Sequence, residues 1–117
     1  MDSPLDTALA ASEAFRLIDP NIGAQTVTVL LTIAQNDGRI IVSDLERLCR
    51  LTRESASRNV KLLSAKKLKD GRTGYGLVET RGSDQDERVK ILRLTRAGQQ
   101  MVNTIQSAIT AQKGAKR

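Results

Sequence analysis

The sequence predicts a mainly α-helical domain with a small β-wing, in which a helix-turn-helix precedes a two-stranded hairpin. Three observations carry that expectation. Apolar residues recur at three-and-four spacing in several stretches, the mark of helices that bury one face. Two short segments late in the chain have strand character around a polar turn at Gly82-Ser83-Asp84. Phe15 and Tyr75 are the only aromatics, so the core must be built from Leu, Ile, Val and Ala, which favours packed helices.

Leu5, Ala8, Ala11, Phe15 and Ile18 share one helix face, with Leu9 alongside, and Ser3 or Asp6 stands where a cap belongs. Asp19-Pro20-Asn21 ends this helix and opens a second over 22–36, with Val27, Leu30, Leu31 and Ala34 as its stripe. Asn36-Asp37-Gly38 is turn chemistry, and Arg39-Ile40-Ile41-Val42 reads as a brief strand. Ser43 followed by Glu46 is a capping box, giving a third helix over 44–50 with Leu45 and Leu48 inward. Thr52 then caps a fourth helix, from 53 to 67 or 68. Its inner face is Ala56, Val60 and Leu63, and its outer face Ser55, Ser57, Arg58, Lys61, Ser64 and Lys66. Residues 69–74 read as a loop, 75–81 and 88–94 as the wing strands. In the second strand Val89 and Ile91 are expected on one face and Arg88 and Lys90 on the other, with one face on a core and one toward a negative partner. Thr95 caps the last helix, whose stripe is Met101, Val102, Ile105, Ala108 and Ile109, and 113–117 is a basic tail.

A chain of 117 residues is one domain's worth. Its net charge of +6 is unevenly spread. Residues 1–38 hold one Arg against five acids, residues 39–96 hold fifteen Lys and Arg against eight acids, and the remainder holds three basic residues and no acid. A basic middle on a small domain is the footprint of nucleic-acid binding, or else a solvated basic face. The scarcity of aromatics argues against modules that stack single-stranded bases. Cys49 is the only cysteine and there is no histidine, so multi-cysteine zinc sites and His-based acid–base machinery are excluded within one chain. Cys49 reads as a small, buried apolar residue. No basic leader or membrane-length apolar run is present, and the chain reads as cytoplasmic, without cofactor or metal, and as a non-enzyme.

The spacing Asp86-x-Arg88, then Leu94-Thr95, then Gly98, with Gly76-Leu77-Val78-Glu79 ahead of it, resembles the wing signature of the MarR family of winged-helix DNA-binding proteins. The resemblance runs over about residues 22–98. It implies a winged helix-turn-helix core at 22–96 between dimerisation helices at 1–19 and 97–112, with an added loop at 68–75. It implies a regulator of transcription, most simply a dimeric repressor, that binds a pseudo-palindromic duplex. Arg88 is then the wing arginine for the minor groove, where Asp86 can hold it by a bidentate pair, with Lys90 beside it. Ser55, Ser57, Arg58 and Lys61 enter the major groove, Arg58 toward a guanine and Lys61 toward a phosphate, while Arg50 and Arg53 suit phosphates. Lys66, Lys67, Lys69 and Arg72 either grip a backbone or form a solvated run. Leu9, Phe15, Val102, Ile105 and Ile109 are expected in an interface across a two-fold axis. Two other readings stay open: a winged helix that binds a polymerase or another regulator, and a DNA-organising or replication-initiation factor.

Overall fold

The computed structural model describes residues 3–86 and 88–115, with side chains through residue 110. In chain order the elements are α1 (Pro4–Phe15), α2 (Ala24–Gln35), β1 (Arg39–Ile41), α3 (Val42–Cys49), α4 (Arg53–Leu63), β2 (Val78–Gly82), β3 (Lys90–Leu94) and α5 (Arg96–Ala115). The strands form one antiparallel sheet in the order β1-β3-β2. This is the winged helix-turn-helix class expected. Its core joins Val29, Leu30 and Ile33 of α2 to Ile40, Leu45, Leu63, Leu77, Val78, Leu92 and Val102.

Ser3 and Asp6 both cap α1: the Ser3 hydroxyl accepts from the Asp6 amide at 3.1 Å and the Asp6 carboxylate accepts from the Ser3 amide at 3.3 Å. The buried face of α1 is Ala10 and Ala14, small residues that let it lie close along α5. Leu5 and Leu9 of the expected stripe are instead 81% and 60% exposed. The turn at Asp19 does not open α2. The Asn21 amide donates to the Asp19 carboxylate at 2.9 Å and the Ile22 amide to the Asp19 carbonyl at 3.0 Å, so the helix starts only after Gly23. Its buried face is Thr26, Val29, Leu30 and Ile33, while Val27, Leu31 and Ala34 are half-buried.

Helix α3 begins directly out of β1, with Ile41 at its cap, so Ser43 lies inside the helix and the Ser43–Glu46 box does not form. The earlier start turns Leu45 onto the core, with Val42 and Cys49 against it, and leaves Leu48 exposed. The Cys49 thiol donates to the Thr32 hydroxyl at 3.4 Å. Thr52 caps α4 by accepting from the Ser55 amide at 3.1 Å. This helix ends at Leu63, short of the 67 or 68 expected. The carbonyls of Leu62, Leu63 and Ser64 accept from the amides of Tyr75, Leu77 and Gly76, which close its C-terminal end. Between these bonds residues 65–75 form a small hairpin, bridged at Lys67 and Thr73. Gly74 sits at its foot, where a side-chain carbon would collide with the Ser64 carbonyl. Ser64, expected on the outer face, is buried under this return.

In the wing, the Val89 amide donates to the Asp86 carbonyl at 2.9 Å, so Arg88 and Val89 belong to the turn and the strand starts at Lys90. Lys90 and Ile91 stand on opposite faces, as expected, but the core lies on the side of Lys90 and not on that of Ile91. Leu92 is the buried residue, Lys90 shares its face, and Ile91 and Arg93 lie on the other. The Thr95 hydroxyl accepts from the Gly98 amide at 3.0 Å and donates to the Gly76 carbonyl at 2.7 Å, fixing the first turn of α5 on the segment before the wing. Gly98 has the Leu77 carbonyl where a side chain would be. Val102 and Ile105, assigned above to a two-fold interface, are 7% and 3% exposed within the chain itself. They are core residues, because α1 and the body of the domain already cover that side of α5. Phe15 and Ile109 are half-buried. Helix α5 continues through Ala115, so the expected tail is helical to that point; Lys116 and Arg117 lie outside the described residues.

Candidate nucleic-acid interface

Helix α4 turns Ala56, Asn59 and Leu63 inward, which points Glu54, Ser57, Arg58 and Lys61 away from the core. The roll of the helix is set by a buried polar contact. The Thr26 hydroxyl of α2 donates to the Asn59 carbonyl oxygen at 2.6 Å, and the Asn59 amide donates to the Ser55 carbonyl at 2.8 Å and to Gln25 at 3.2 Å. Apolar packing alone tolerates small rotations; a short directional bond in the interior does not.

At the wing tip the Arg88 guanidinium donates from Nε and Nη2 to the two carboxylate oxygens of Asp86, both at 3.1 Å. The Arg88 amide adds a third bond to the same carboxylate at 2.9 Å. These bonds hold the Asp86 carboxyl below the usual carboxylate range, the guanidinium first and the amide second. The Arg88 side chain is 91% exposed, so the pair adds little to stability; its effect is to limit the directions in which the guanidinium can point. On the outer face of the sheet Arg93 donates to Glu79 across the strands at 2.5 Å and lowers the Glu79 carboxyl in the same way.

Helix and wing enclose a groove of about 610 Å³. Arg53, Ser57, Val60 and Lys61 form one wall and Thr80, Arg88, Val89 and Lys90 the other, over a floor that includes Ile41, Val42, Ser43 and Glu46. Five of the residues singled out in the sequence thus come together: Arg53, Ser57, Lys61, Arg88 and Lys90. Asp86 stands behind Arg88. Arg50 caps α3 in a left-handed conformation and does not line the groove, and Arg58 lies on the flank of α4, where its guanidinium donates to the Ser55 hydroxyl at 3.4 Å. Lys66, which the sequence left between gripping a backbone and a solvated run, lines the groove as well, while Thr80 and Asn59 were not singled out. Thr80 is placed by its register opposite Leu92, and Asn59 by a partner 33 residues away; neither relation shows in local sequence. Lysine and arginine side chains line both walls, and of these only Arg88 is ion-paired among the described residues. A groove lined by five cations, four of them without an ion pair among the described residues, against one carboxylate, Glu46, on its floor suits a polyanion.

Behind the groove, Tyr75 at the foot of the small hairpin donates its hydroxyl to Asp19, in the joint between α1 and α2, at 2.6 Å. Burial, then the Asp19 carboxylate, push the Tyr75 hydroxyl up to about 12. The same hydrogen bond, with the Asn21 amide, lowers the Asp19 carboxyl. Among the described residues no cluster of three or more His, Cys, Asp or Glu could hold a metal, and no helix is long and apolar enough to cross a membrane.

Two helices, a strand, a helix-turn-helix, a two-stranded wing and a closing helix define a winged-helix domain. Comparison with solved structures narrows the class: the chain has the winged-helix fold of the MarR-family regulators. It superposes on RV1404 from Mycobacterium tuberculosis with a TM-score of 0.76 at 16% identity, covering 93% of this chain and 68% of that one. S. aureus MepR, solved bound to an oligodeoxyribonucleotide, gives 0.75 at 19% identity over 95% and 73% of the two chains. A MarR mutant from E. coli, complexed with operator DNA, gives 0.61 at 19% over 87% and 69%. Neither a family model nor any curated protein sequence matches the chain.

Proposed function

We propose that this chain is a MarR-family regulator of transcription that binds double-stranded DNA as a homodimer and represses by occluding a promoter. Helix α4 enters the major groove, Lys61 and Arg53 contact phosphates, and Arg88 enters the adjacent minor groove. One observation carries this reading: an arginine 91% exposed, aimed by a bidentate carboxylate, stands across one cationic groove from the outer face of α4. A guanidinium suits the narrow, electronegative minor groove, and the helix face opposite suits the major groove. The neighbours in fold that were solved with DNA support the same partner. The two-fold assembly is supported by Leu5 and Leu9, which the single chain leaves bare on α1.

The test is a selection of bound duplexes from a random pool, followed by affinity measurements on the winning sequence. Arg88→Ala should weaken binding by about 1–3 kcal/mol, as expected for one specific contact. Its melting curve should stay with that of the wild type. Unchanged affinity at an intact melting transition would remove the wing from the interface. A pool that yields no preferred sequence, with salt-sensitive binding retained, would point to a DNA-organising role instead.

A further inference from the structure

We propose that the hairpin at 65–75 is a second phosphate-binding element, which holds the DNA backbone lying between the groove read by α4 and the groove entered by Arg88. The inference rests on the DNA-binding reading above and adds to it an anchor that neither the helix-turn-helix nor the wing supplies. Lys66, at the base of the hairpin, lines the same groove as Lys61 and Arg88. A duplex that takes α4 in its major groove and Arg88 in the neighbouring minor groove must run the intervening phosphate strand along this groove. Lys66, Lys67 and Lys69 are all exposed and have no acidic partner among the described residues.

The hairpin orders the backbone from which these lysines extend. The Leu68 amide donates to the Arg72 carbonyl at 2.7 Å, the Gly71 amide to the Leu68 carbonyl at 3.0 Å and the Gly74 amide to the Lys66 carbonyl at 3.0 Å. Its return strand is bonded to the last carbonyls of α4, which ties the hairpin to the recognition helix. With the backbone ordered before binding, only side-chain freedom remains to be lost when a phosphate arrives. The chemistry also selects backbone over bases. Arg72 carries the planar fork best suited to a base edge, and it is spent on Asp70, with Nε to carboxylate oxygen at 2.6 Å. What remains is lysine, a point charge that suits phosphate and carries no sequence information.

The experiment compares the full wild-type chain with the triple variant Lys66→Gln, Lys67→Gln, Lys69→Gln, on the selected duplex and on unrelated duplexes. All three side chains are exposed, so the variant should melt with the wild type. Removing three lysine–phosphate pairs should make the log–log salt dependence shallower by about 2.7 for each chain bound. The affinity advantage of the wild type should then fall about 40-fold per chain between about 50 and 200 mM salt. The ranking of duplex sequences should not change. A wild-type slope in the triple variant, while Arg88→Ala still weakens binding, would overturn the hairpin alone. An altered sequence ranking with the slope intact would overturn it too, as the lysines would be reading bases. If the wild-type chain shows no salt-dependent duplex binding at all, the DNA reading falls and the hairpin with it.

Discussion

Replacing Asn59 with alanine tests whether one buried contact sets the roll of the recognition helix. Thr26 is 3% exposed and the bond from its hydroxyl to the Asn59 side-chain oxygen is 2.6 Å long. In the variant that donor loses its acceptor on α4. A buried donor left without a partner costs about 1–3 kcal/mol. The space left by the amide adds to this, while the bond to Gln25, an exposed side chain, contributes little. A loss of about 2 kcal/mol is therefore expected, read from urea unfolding at fixed protein concentration. The control changes both partners. Thr26→Val with Asn59→Leu keeps the branched shape of both side chains and leaves no orphaned donor, so most of the stability should return. Duplex affinity should not return with it, since apolar packing does not fix the angle at which Ser57 and Lys61 are presented. The reasoning fails if Asn59→Ala unfolds within about 0.5 kcal/mol of the wild type, the range of an ordinary surface change. It fails equally if the double variant is no more stable than the single one.

Gly98→Ala forces a side-chain carbon onto the Leu77 backbone carbonyl, which cannot swing aside as a flexible side chain would; a loss of about 3 kcal/mol, the upper end for overpacking, is expected in thermal melts, and a wild-type melt would contradict that contact. Tyr75 is the only tyrosine, so ultraviolet titration of tyrosinate reads it alone; the midpoint should lie near 12 and fall in Asp19→Asn without reaching about 10, because burial remains. With that hydroxyl raised and the Asp19 carboxyl lowered, the contact stabilises fully from about pH 4 to about pH 10. It is lost as pH rises through about 12 or falls through the Asp19 range, and an ordinary tyrosine midpoint in the folded chain would show the contact to be absent. Arg58→Ala should change which duplexes are preferred, whereas Lys61→Ala should weaken all of them and flatten the salt slope by about one unit; identical behaviour of the two removes Arg58 as a base reader. Leu9→Asp should give folded monomers by light scattering, with most duplex affinity lost, and a wild-type chain that is monomeric with full affinity would end the two-fold reading.

Local chemistry was the most legible part of the fold. Caps at Ser3, Thr52 and Thr95 depend on a side chain reaching an amide three residues on, and all three form. The Asp86–Arg88 pair spans two residues and is equally local. Where a local rule fails, a competing geometry has already used the residues. Ser43 and Glu46 have the spacing of a capping box, but β1 pairs with β3 as far as Ile41 and the chain turns straight into helix, so Ser43 is one residue too deep to cap. Asp19 has the setting of a helix opener, but its carboxylate is occupied by the Asn21 amide and the Tyr75 hydroxyl. Helix α4 has periodicity enough to run on, and stops because amides from residues 75–77 arrive to take its final carbonyls.

Periodicity names a face without naming what covers it, and the errors of assignment follow from that. Val102 and Ile105 stand on a helical stripe that reads equally well as core or as a surface for a second chain; Ala10 and Ala14, small enough to bring α1 onto α5, decide for core. Leu5 and Leu9, exposed on α1, are therefore the residues left for the proposed two-fold contact, and a charge at Ile105 would disrupt the core of the single chain. Asn59 shows the converse. Its polarity suggests solvent, yet Thr26 makes it a buried anchor. The site was legible in its charge, since a cation count needs no coordinates, and illegible in its shape, since the groove exists only once β3 is in register with β1 and β2. That register keeps Lys90 on the opposite face from Ile91, as expected, but makes the face of Lys90 and Leu92 the one that packs on the core, so Lys90 lines the groove beside α4. The turn that takes in Arg88 and Val89 thus helps decide which cations of the wing face the helix, and the cationic wall opposite α4 is a product of turn geometry as much as of composition.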